Sequence, residues 1–127
     1  MKYLSTLCVL SIFLVSCSCL KKDANSEFYG TWELIEKSGG FAGTKTNENL
    51  DEKIIINSKK IIVYKKEQKI TEAPFGIEKS KVIESSEFQD VLKTENITKK
   101  SIKIVDNKLI LTDQCYDCYV YVYKKTK

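Results

Sequence analysis

The 127-residue chain contains no histidine, and all 21 of its basic residues are lysines, so arginine is absent too. Histidine is the commonest general base and metal ligand, and its absence argues against most acid–base and zinc-dependent enzymes. The sequence also lacks the G-x-S-x-G and S-x-x-K patterns that mark activated serine nucleophiles. We therefore expect no catalytic residues, no enzyme activity, no resident metal and no cofactor.

The chain also lacks a strong concentration of positive charge. Its formal net charge is +4, and the lysines are mixed with 17 acidic residues. No basic stripe with interleaved aromatic residues is present, which is the pattern expected of a nucleic-acid-binding surface. We expect no nucleic-acid partner.

No hydrophobic run is long enough to cross a membrane as a helix. The longest runs from Leu4 to Val15, directly after Lys2, and it ends at small residues. A cationic start and a short apolar core followed by small residues are typical of a secretory signal peptide. We assign residues 1–16 to this signal.

The end of the signal resembles the lipobox of bacterial lipoproteins, with Leu14 at −3, Ser16 at −1 and Cys17 as acceptor. The resemblance implies cleavage before Cys17 and attachment of diacylglycerol and an N-acyl chain to it. Several acyl chains anchor a protein firmly to a membrane. Cys19 fits the pattern less well, and an ordinary signal peptide is the alternative. Residues 17–26 are polar and aperiodic, and they predict a flexible tether.

From residue 27 onward the sequence predicts one all-β domain, 27–127. Short runs of β-branched and aromatic residues alternate with polar turns. One weaker run, 68–73, is predicted to stop at Pro74. The predicted strands are 28–37, 53–56, 61–64, 68–73, 81–84, 101–105, 108–112 and 118–123. This spacing indicates a sandwich or an up-and-down barrel.

One segment departs from the strand pattern. Phe88, Val91 and Leu92 follow a helical spacing, and Ser86 with Gln89 forms a possible capping box. We predict at most one short helix near 86–93, with an irregular strand as the alternative.

The first strand carries a recognisable motif. Phe28-x-Gly30-x-Trp32, after Asn25, resembles the first motif of the lipocalin superfamily, and the whole layout is similar to small lipocalin-like lipoproteins of Gram-negative bacteria. The resemblance implies an eight-stranded antiparallel up-and-down barrel closed at one end by Trp32. Lipocalins commonly pack an arginine on this tryptophan. Here Lys124 or Lys125 would have to replace it. The alternative for Trp32 is an ordinary core residue.

Cys115 and Cys118 form a C-x-x-C pair before the last predicted strand. A thioredoxin-like centre needs a helix after the motif, and none is predicted. A zinc site lacks further ligands, whereas copper(I) on two thiolates remains open. In an exported protein a disulfide across the turn is the favoured interpretation.

Tyr119, Tyr121 and Tyr123 alternate with valines and share one face of the last strand. If Thr112 pairs with Cys118, Leu111 opposes Tyr119 and the tyrosines point inward. A one-residue shift would put the valines inside instead. The candidates for lining a cavity are Trp32, Phe41, Tyr64, Tyr119, Tyr121 and Tyr123. Phe41 lies in a glycine-rich loop, either as a lid over the opening or within a flexible turn.

These patterns lead to two functional hypotheses. The first is a lipid-anchored cell-envelope protein, on the outer membrane, whose barrel binds a small apolar or amphipathic ligand. The second is a protein-interaction module, such as an inhibitor or assembly factor, with a filled barrel. In both, the membrane is a partner through the N-terminal lipid and the protein is a monomer.

Overall fold

The computed structural model describes residues 22–48 and 50–127, which form nine β-strands and one 3-10 helix. The helix is Ser26–Phe28. The strands are β1 (Gly30–Gly39), β2 (Thr44–Thr46), β3 (Glu52–Ile56), β4 (Lys60–Lys65), β5 (Gln68–Val82), β6 (Ser85–Thr94), β7 (Ile97–Val105), β8 (Lys108–Asp113) and β9 (Tyr119–Lys125). The predicted signal peptide 1–16 and Cys17 lie outside the described residues, as does Cys19. No helix among the described residues is both long and apolar enough to cross a membrane.

The strands form one antiparallel up-and-down sheet that closes into a ring. From β3 to β9 each strand pairs with the next, and β1 pairs with both β3 and β9. The closing ladder between β1 and β9 matches Leu34 with Tyr123 and Gly39 with Tyr119. Strand β2 pairs only with the end of β1. The all-β prediction is therefore confirmed. Strand β2 is an element that the sequence did not indicate, and the separate strand predicted at 81–84 is wrong, because residues 81 and 82 are the end of β5.

Strand β5 continues through Pro74, so the prediction that it stops there is wrong. Its first half pairs with β4 as far as the match of Lys60 with Pro74. Its second half pairs with β6, starting at the match of Phe75 with Thr94. Proline has no N–H to donate to a ladder, and it is tolerated where a strand edge is unpaired. Pro74 lies where the strand changes partner, so the missing N–H costs little.

The short helix predicted near 86–93 is also wrong, because these residues lie within strand β6. Cross-strand pairing with β5 runs from Ser85 to Thr94. Val91 and Leu92 are adjacent and both buried, on opposite faces of the strand. Their burial on two faces produces the helix-like spacing. The irregular strand, which was the alternative, is what forms, with a register shift after Leu92 on the β7 side.

The tip of the β5–β6 hairpin packs over the outer face of the ring. Ser101 Oγ donates to Glu84 Oε1 at 2.6 Å. Gln114 Nε2 donates to Glu84 Oε2 at 3.1 Å, and Ile83 N donates to Gln114 Oε1 at 3.1 Å. Ser101 is buried beneath this tip. The hairpin is therefore fixed by polar contacts and covers the outside of β7 and β8.

The core fills the part of the ring around the first strand. Trp32 is 1% exposed, and its cluster continues through β3, β4 and the C-terminal strands. The buried members of the cluster are Phe28, Trp32, Leu34, Ile54, Ile56, Ile61, Leu92, Ile102, Leu109, Leu111 and Tyr123. They come from seven different strands and the 3-10 helix, so the core depends on ring closure.

The predicted tight turn at Asp106-Asn107 is confirmed. Both residues have positive φ, 50° and 59°, as a type I′ turn requires. The turn between β3 and β4 is held by Asn57, whose Oδ1 accepts from Lys60 N at 3.0 Å. Upstream of β1, Asn25 and Asp23 accept backbone hydrogen bonds from Phe28 and Ser26. The last residues of the predicted tether therefore lie in a hydrogen-bonded turn.

Candidate functional site: an interior cavity with a polar end

A cavity of about 250 Å³ lies inside the ring, beside the core. Its apolar wall is formed by inward-facing residues of β3, β4, β6 and β8, namely Ile54, Ile61, Leu92 and Leu111. Glu52, Lys100, Tyr121 and Tyr123 form its polar end. The polar residues come from β3, β7 and β9, strands that are distant in sequence and are brought together by closure of the ring.

The cavity reaches the surface where β5 lacks a second partner. Only the second half of β5 pairs with β6, so the edge of its first half is free on that side. Ile70 and Thr71 border the cavity on this edge, and Asn96, Ile97 and Thr98 border it on the other. Ile70 is 61% exposed. The partner change at Pro74 thus creates a side opening into the ring.

Glu52 and Tyr123 form a hydrogen bond at the polar end of the cavity. The Tyr123 hydroxyl donates to Glu52 Oε1 at 2.6 Å. Tyr123 is 2% exposed, and Glu52 is half-buried. Glu52 lies two residues before Ile54 on β3, so both side chains share the inner face of that strand. A carboxylate is thereby placed at the edge of an apolar core.

A second polar pair lies next to Tyr121. Lys100 forms an ion pair with Asp113, and their side chains are only 13% and 12% exposed. Lys100 Nζ also lies 4.4 Å from the centre of the Tyr121 ring, a cation–π distance. The Tyr121 hydroxyl is 3.5 Å from Asp113 Oδ2, at the limit of a hydrogen bond. The charge of Lys100 is therefore already matched by a carboxylate and a ring face.

Both tyrosine hydroxyls resist ionisation. Burial, followed by the charges of Asp113 and Glu52, raises the pKa of Tyr121 to about 12. Burial and the nearby Glu52 carboxylate raise the pKa of Tyr123 well above its usual value of 10.0. Both hydroxyls therefore stay protonated at physiological pH and act as donors to the carboxylates.

The tyrosine row faces inward, with a register two residues from the one considered above. Leu111 opposes Tyr121, Leu109 opposes Tyr123, and Thr112 pairs with Val120. A two-residue shift leaves every side chain on the same face of the strand. Exposure rises along the row from Tyr123, at 2%, to Tyr119, at 37%. Tyr121 and Tyr123 line the cavity, and Tyr119 lies at the rim.

The rim is built where the glycine-rich loop meets the loop before β9. Gly40 N donates to Cys118 O at 3.1 Å. Lys37 Nζ lies 3.9 Å from the centre of the Tyr119 ring. Phe41 is 97% exposed and is not part of the cavity lining. Gly39, Gly40 and Gly43 all have positive φ.

Trp32 and Tyr64 lie away from the cavity. The Trp32 indole N–H donates to Phe28 O at 2.8 Å, and the ring fills the end of the core next to the start of β1. Lys125 Nζ lies 5.1 Å from the Trp32 ring centre, the cation–π contact expected in place of an arginine. Tyr64 pairs with Lys53 on the outer side of β3 and β4 and borders a polar surface cleft. Of the six lining candidates, the structure brings only Tyr121 and Tyr123 together at the cavity.

Cys115 and Cys118 lie in the loop before β9 with their Cα atoms 5.5 Å apart, within the range of a disulfide. No group of three or more histidine, cysteine, aspartate or glutamate side chains suited to a metal occurs within residues 22–48 and 50–127. The two cysteines lie at the rim, directly before Tyr119, and neither lines the cavity.

The sequence did not single out the charged residues of the cavity, Glu52 and Lys100, or Asp113, which pairs with Lys100. A signal was present for two of them. Glu52 precedes Ile54 and Ile56 by two and four residues, and Lys100 precedes Ile102 and Ile104 in the same way. The two-residue period of a strand would have put the side chains of Glu52 and Lys100 on an inner face. With Ile55 and Ser101 on the opposite faces, the pattern did not decide which face of each strand points into the ring.

Comparison with known proteins gives no assignment: no family model, curated protein or solved structure matches this chain significantly.

Proposed function

We propose that this protein is a lipid-anchored lipoprotein of the cell envelope, and that its ring is a lipocalin-like eight-stranded barrel that binds a small apolar or amphipathic ligand. In this view β1 and β3 to β9 are the barrel strands, and β2 is an addition at the end of β1. The observation that carries the proposal is the cavity of about 250 Å³ with an apolar wall and a polar end. Apolar pockets with a few convergent polar groups are the usual form of a small-molecule site.

The size of the cavity limits the ligand. Drug-sized ligands occupy pockets of roughly 300–1,000 Å³, and this cavity is smaller, at about 250 Å³. One water occupies about 30 Å³ in the liquid, so the cavity has room for about eight waters or a molecule of similar volume. A short alkyl chain or a single substituted ring would fit, whereas a long-chain lipid would have to project through the side opening.

Acylation of Cys17 would hold the Trp32 end of the ring near the membrane. A chain spans at most about 3.3–3.6 Å per residue, so the six residues from Cys17 to Asp23 reach about 20 Å. Asp23 is hydrogen-bonded to Tyr29, directly before β1. The rim loops with Tyr119 lie at the opposite end of β1. Loss of membrane association in Cys17→Ala tests the anchor.

Native mass spectrometry of protein purified from its own envelope tests the ligand-binding role. We expect a bound species of low mass that is released by unfolding. A protein that is free of ligand after mild purification, and that binds no small amphiphile at millimolar concentration, would contradict the proposal.

A second candidate function is a protein-interaction module, favoured by the exposed aromatic residues of the rim. Phe41 is 97% exposed and Tyr116 is 85% exposed, and they lie on the two loops that meet through Gly40 and Cys118. Aromatic residues are enriched in the centres of protein interfaces. If this function is the correct one, a Phe41→Ser/Tyr116→Ser variant keeps its fold and loses a specific cross-linked partner in the envelope.

A further inference from the structure

We propose that the cavity takes a short amphiphile with a positively charged, hydrogen-bond-donating head group, most simply an alkylammonium. In this proposal, which rests on the ligand-binding role proposed above, the head group binds the carboxylate of Glu52.

Glu52 is the one group of the cavity lining whose charge is left unmatched among the described residues. Its Oε1 accepts a hydrogen bond from Tyr123 at 2.6 Å. None of the ion pairs within residues 22–48 and 50–127 includes Glu52, and its Oε2 accepts no hydrogen bond there. A half-buried carboxylate gains most from a cation or a strong donor. A ligand ammonium beside Oε2 would supply both.

The lysines near the cavity do not offer a comparable site for an anion. Lys100 borders the cavity but is paired with Asp113 and lies over the ring of Tyr121. Lys37 lies over the rings of Tyr119 and Tyr121, at 3.9 Å and 5.5 Å, and is not part of the lining. Binding a carboxylate at Lys100 would therefore compete with Asp113.

Both tyrosine hydroxyls of the cavity lie close to a carboxylate: Tyr123 donates to Glu52 at 2.6 Å, and the Tyr121 hydroxyl is 3.5 Å from Asp113. After burial, the charges of Asp113 and Glu52 are the largest causes that raise the pKa of Tyr121. Glu52 has the same effect on Tyr123. The same carboxylates that disfavour a phenolate repel a ligand carboxylate and attract an ammonium.

The apolar wall sets the other end of the ligand. Ile54, Ile61, Leu92 and Leu111 line the cavity, and their side chains contain no polar atom. The volume corresponds to about eight waters, which suits an unbranched alkyl chain of about six carbons. Burial of each methylene stabilises the complex by the hydrophobic effect. Hexylammonium therefore matches both the charge and the size of the cavity.

Three probes of equal chain length separate the possibilities: hexylammonium, 1-hexanol and hexanoate, titrated at pH 7 into the purified full-length protein and followed by isothermal calorimetry. We expect hexylammonium to bind about tenfold or more tightly than hexanoate, because the ammonium pairs with the Glu52 carboxylate whereas a second carboxylate is repelled by it. 1-Hexanol should fall between them.

Variants assign the preference to Glu52. Glu52→Gln keeps the acceptor for Tyr123 and removes the charge, and it should bind hexylammonium no better than 1-hexanol. Glu33→Gln is the matched control, because Glu33 is exposed on β1 and lies 3.9 Å from Lys124. It should retain the wild-type preference.

Each outcome decides a different statement. Equal or tighter binding of hexanoate overturns the ligand class and leaves a ligand-binding function standing. Preserved preference in Glu52→Gln overturns the role of Glu52. If none of the three probes binds, the ligand-binding function itself fails. The wild-type comparison alone gives the sign of the preference, whatever the stability of the variants.

Discussion

The two ends of the ring are built from the same strands and differ in what they bury. At the end near the start of β1, Trp32 and Phe28 fill the interior, and the indole N–H is satisfied by a backbone carbonyl at 2.8 Å. At the other end the interior contains Glu52, Lys100 and a cavity. Burying charge costs free energy, whereas burying a tryptophan stabilises the fold. We therefore expect mutations at the Trp32 end to change stability and mutations at the cavity end to change binding.

The largest expected effect is at Trp32. Trp32→Ala removes a side chain that is 1% exposed and leaves a large cavity, so we expect a loss of about 3–5 kcal/mol in the free energy of unfolding. Urea denaturation followed by circular dichroism measures it. Phe41→Ala, at a ring that is 97% exposed, is the control and should change stability by less than about 0.5 kcal/mol. A loss at Trp32 below about 1 kcal/mol would contradict its role in closing that end.

The next effect concerns the glycine of the first-strand motif. Gly30 has φ of +142°, and a Cβ there would lie 2.5 Å from Lys127 O and 2.6 Å from Lys125 Cε. Gly30→Ala should therefore destabilise the protein by about 1–3 kcal/mol, from backbone strain and overlap. Gly76→Ala is the matched control, since a Cβ there meets nothing within 4 Å. Its substitution should be neutral or slightly stabilising. Thermal unfolding of both variants makes the comparison, and equal losses would show that the close approach at Gly30 is unimportant.

A smaller effect is expected where Tyr123 joins the core to the cavity. Tyr123→Phe removes the donor to Glu52 and leaves a half-buried carboxylate without it, so we expect a loss of about 1–2 kcal/mol. Tyr121→Phe should cost less, because its hydroxyl is 3.5 Å from Asp113. Chemical denaturation of the two variants tests this order. The reverse order would place the stronger polar contact at Asp113.

The smallest effect appears only at high pH. The pKa of Tyr121 is raised to about 12 in the folded protein, from a usual value of 10.0. Between these values the unfolded chain releases the Tyr121 proton while the folded protein keeps it. The contribution of this hydroxyl to the free energy of unfolding is therefore fully present below pH 10 and is lost as pH rises toward 12. Tyr121→Phe should flatten this fall. Denaturation midpoints between pH 8 and pH 11.5 measure it, and an identical pH profile in the variant would rule out a contribution from this hydroxyl.

The local sequence pattern was enough to predict much of the structure at the Trp32 end of the ring. Period two in the first strand places Trp32 and Leu34 on one face, and both are buried. The turn at Asp106-Asn107 was readable because its residues tolerate positive φ. These features depend on residues that are close in sequence.

The cavity end depended on contacts that local pattern does not encode. Strand β5 passes through Pro74 because it changes partner there, and this creates the side opening. Residues 86–93 form a strand because β5 pairs with them, despite a helical spacing. The shared position of Glu52 and Lys100 at the cavity could not be predicted from the sequence, because it is closure of the ring that brings β3 and β7 together. A polar cavity residue has no hydrophobic signal of its own, so its facing follows from register.

The most direct test of the division between the two ends is a titration with hexylammonium followed by ¹H–¹⁵N NMR. The single tryptophan gives one indole resonance that reports on the Trp32 end. We predict shift changes at the amides of Glu52, Lys100 and Tyr121, with the Trp32 indole resonance unchanged. A large shift of the indole with no change at Glu52 would contradict the account and place binding at the other end of the ring.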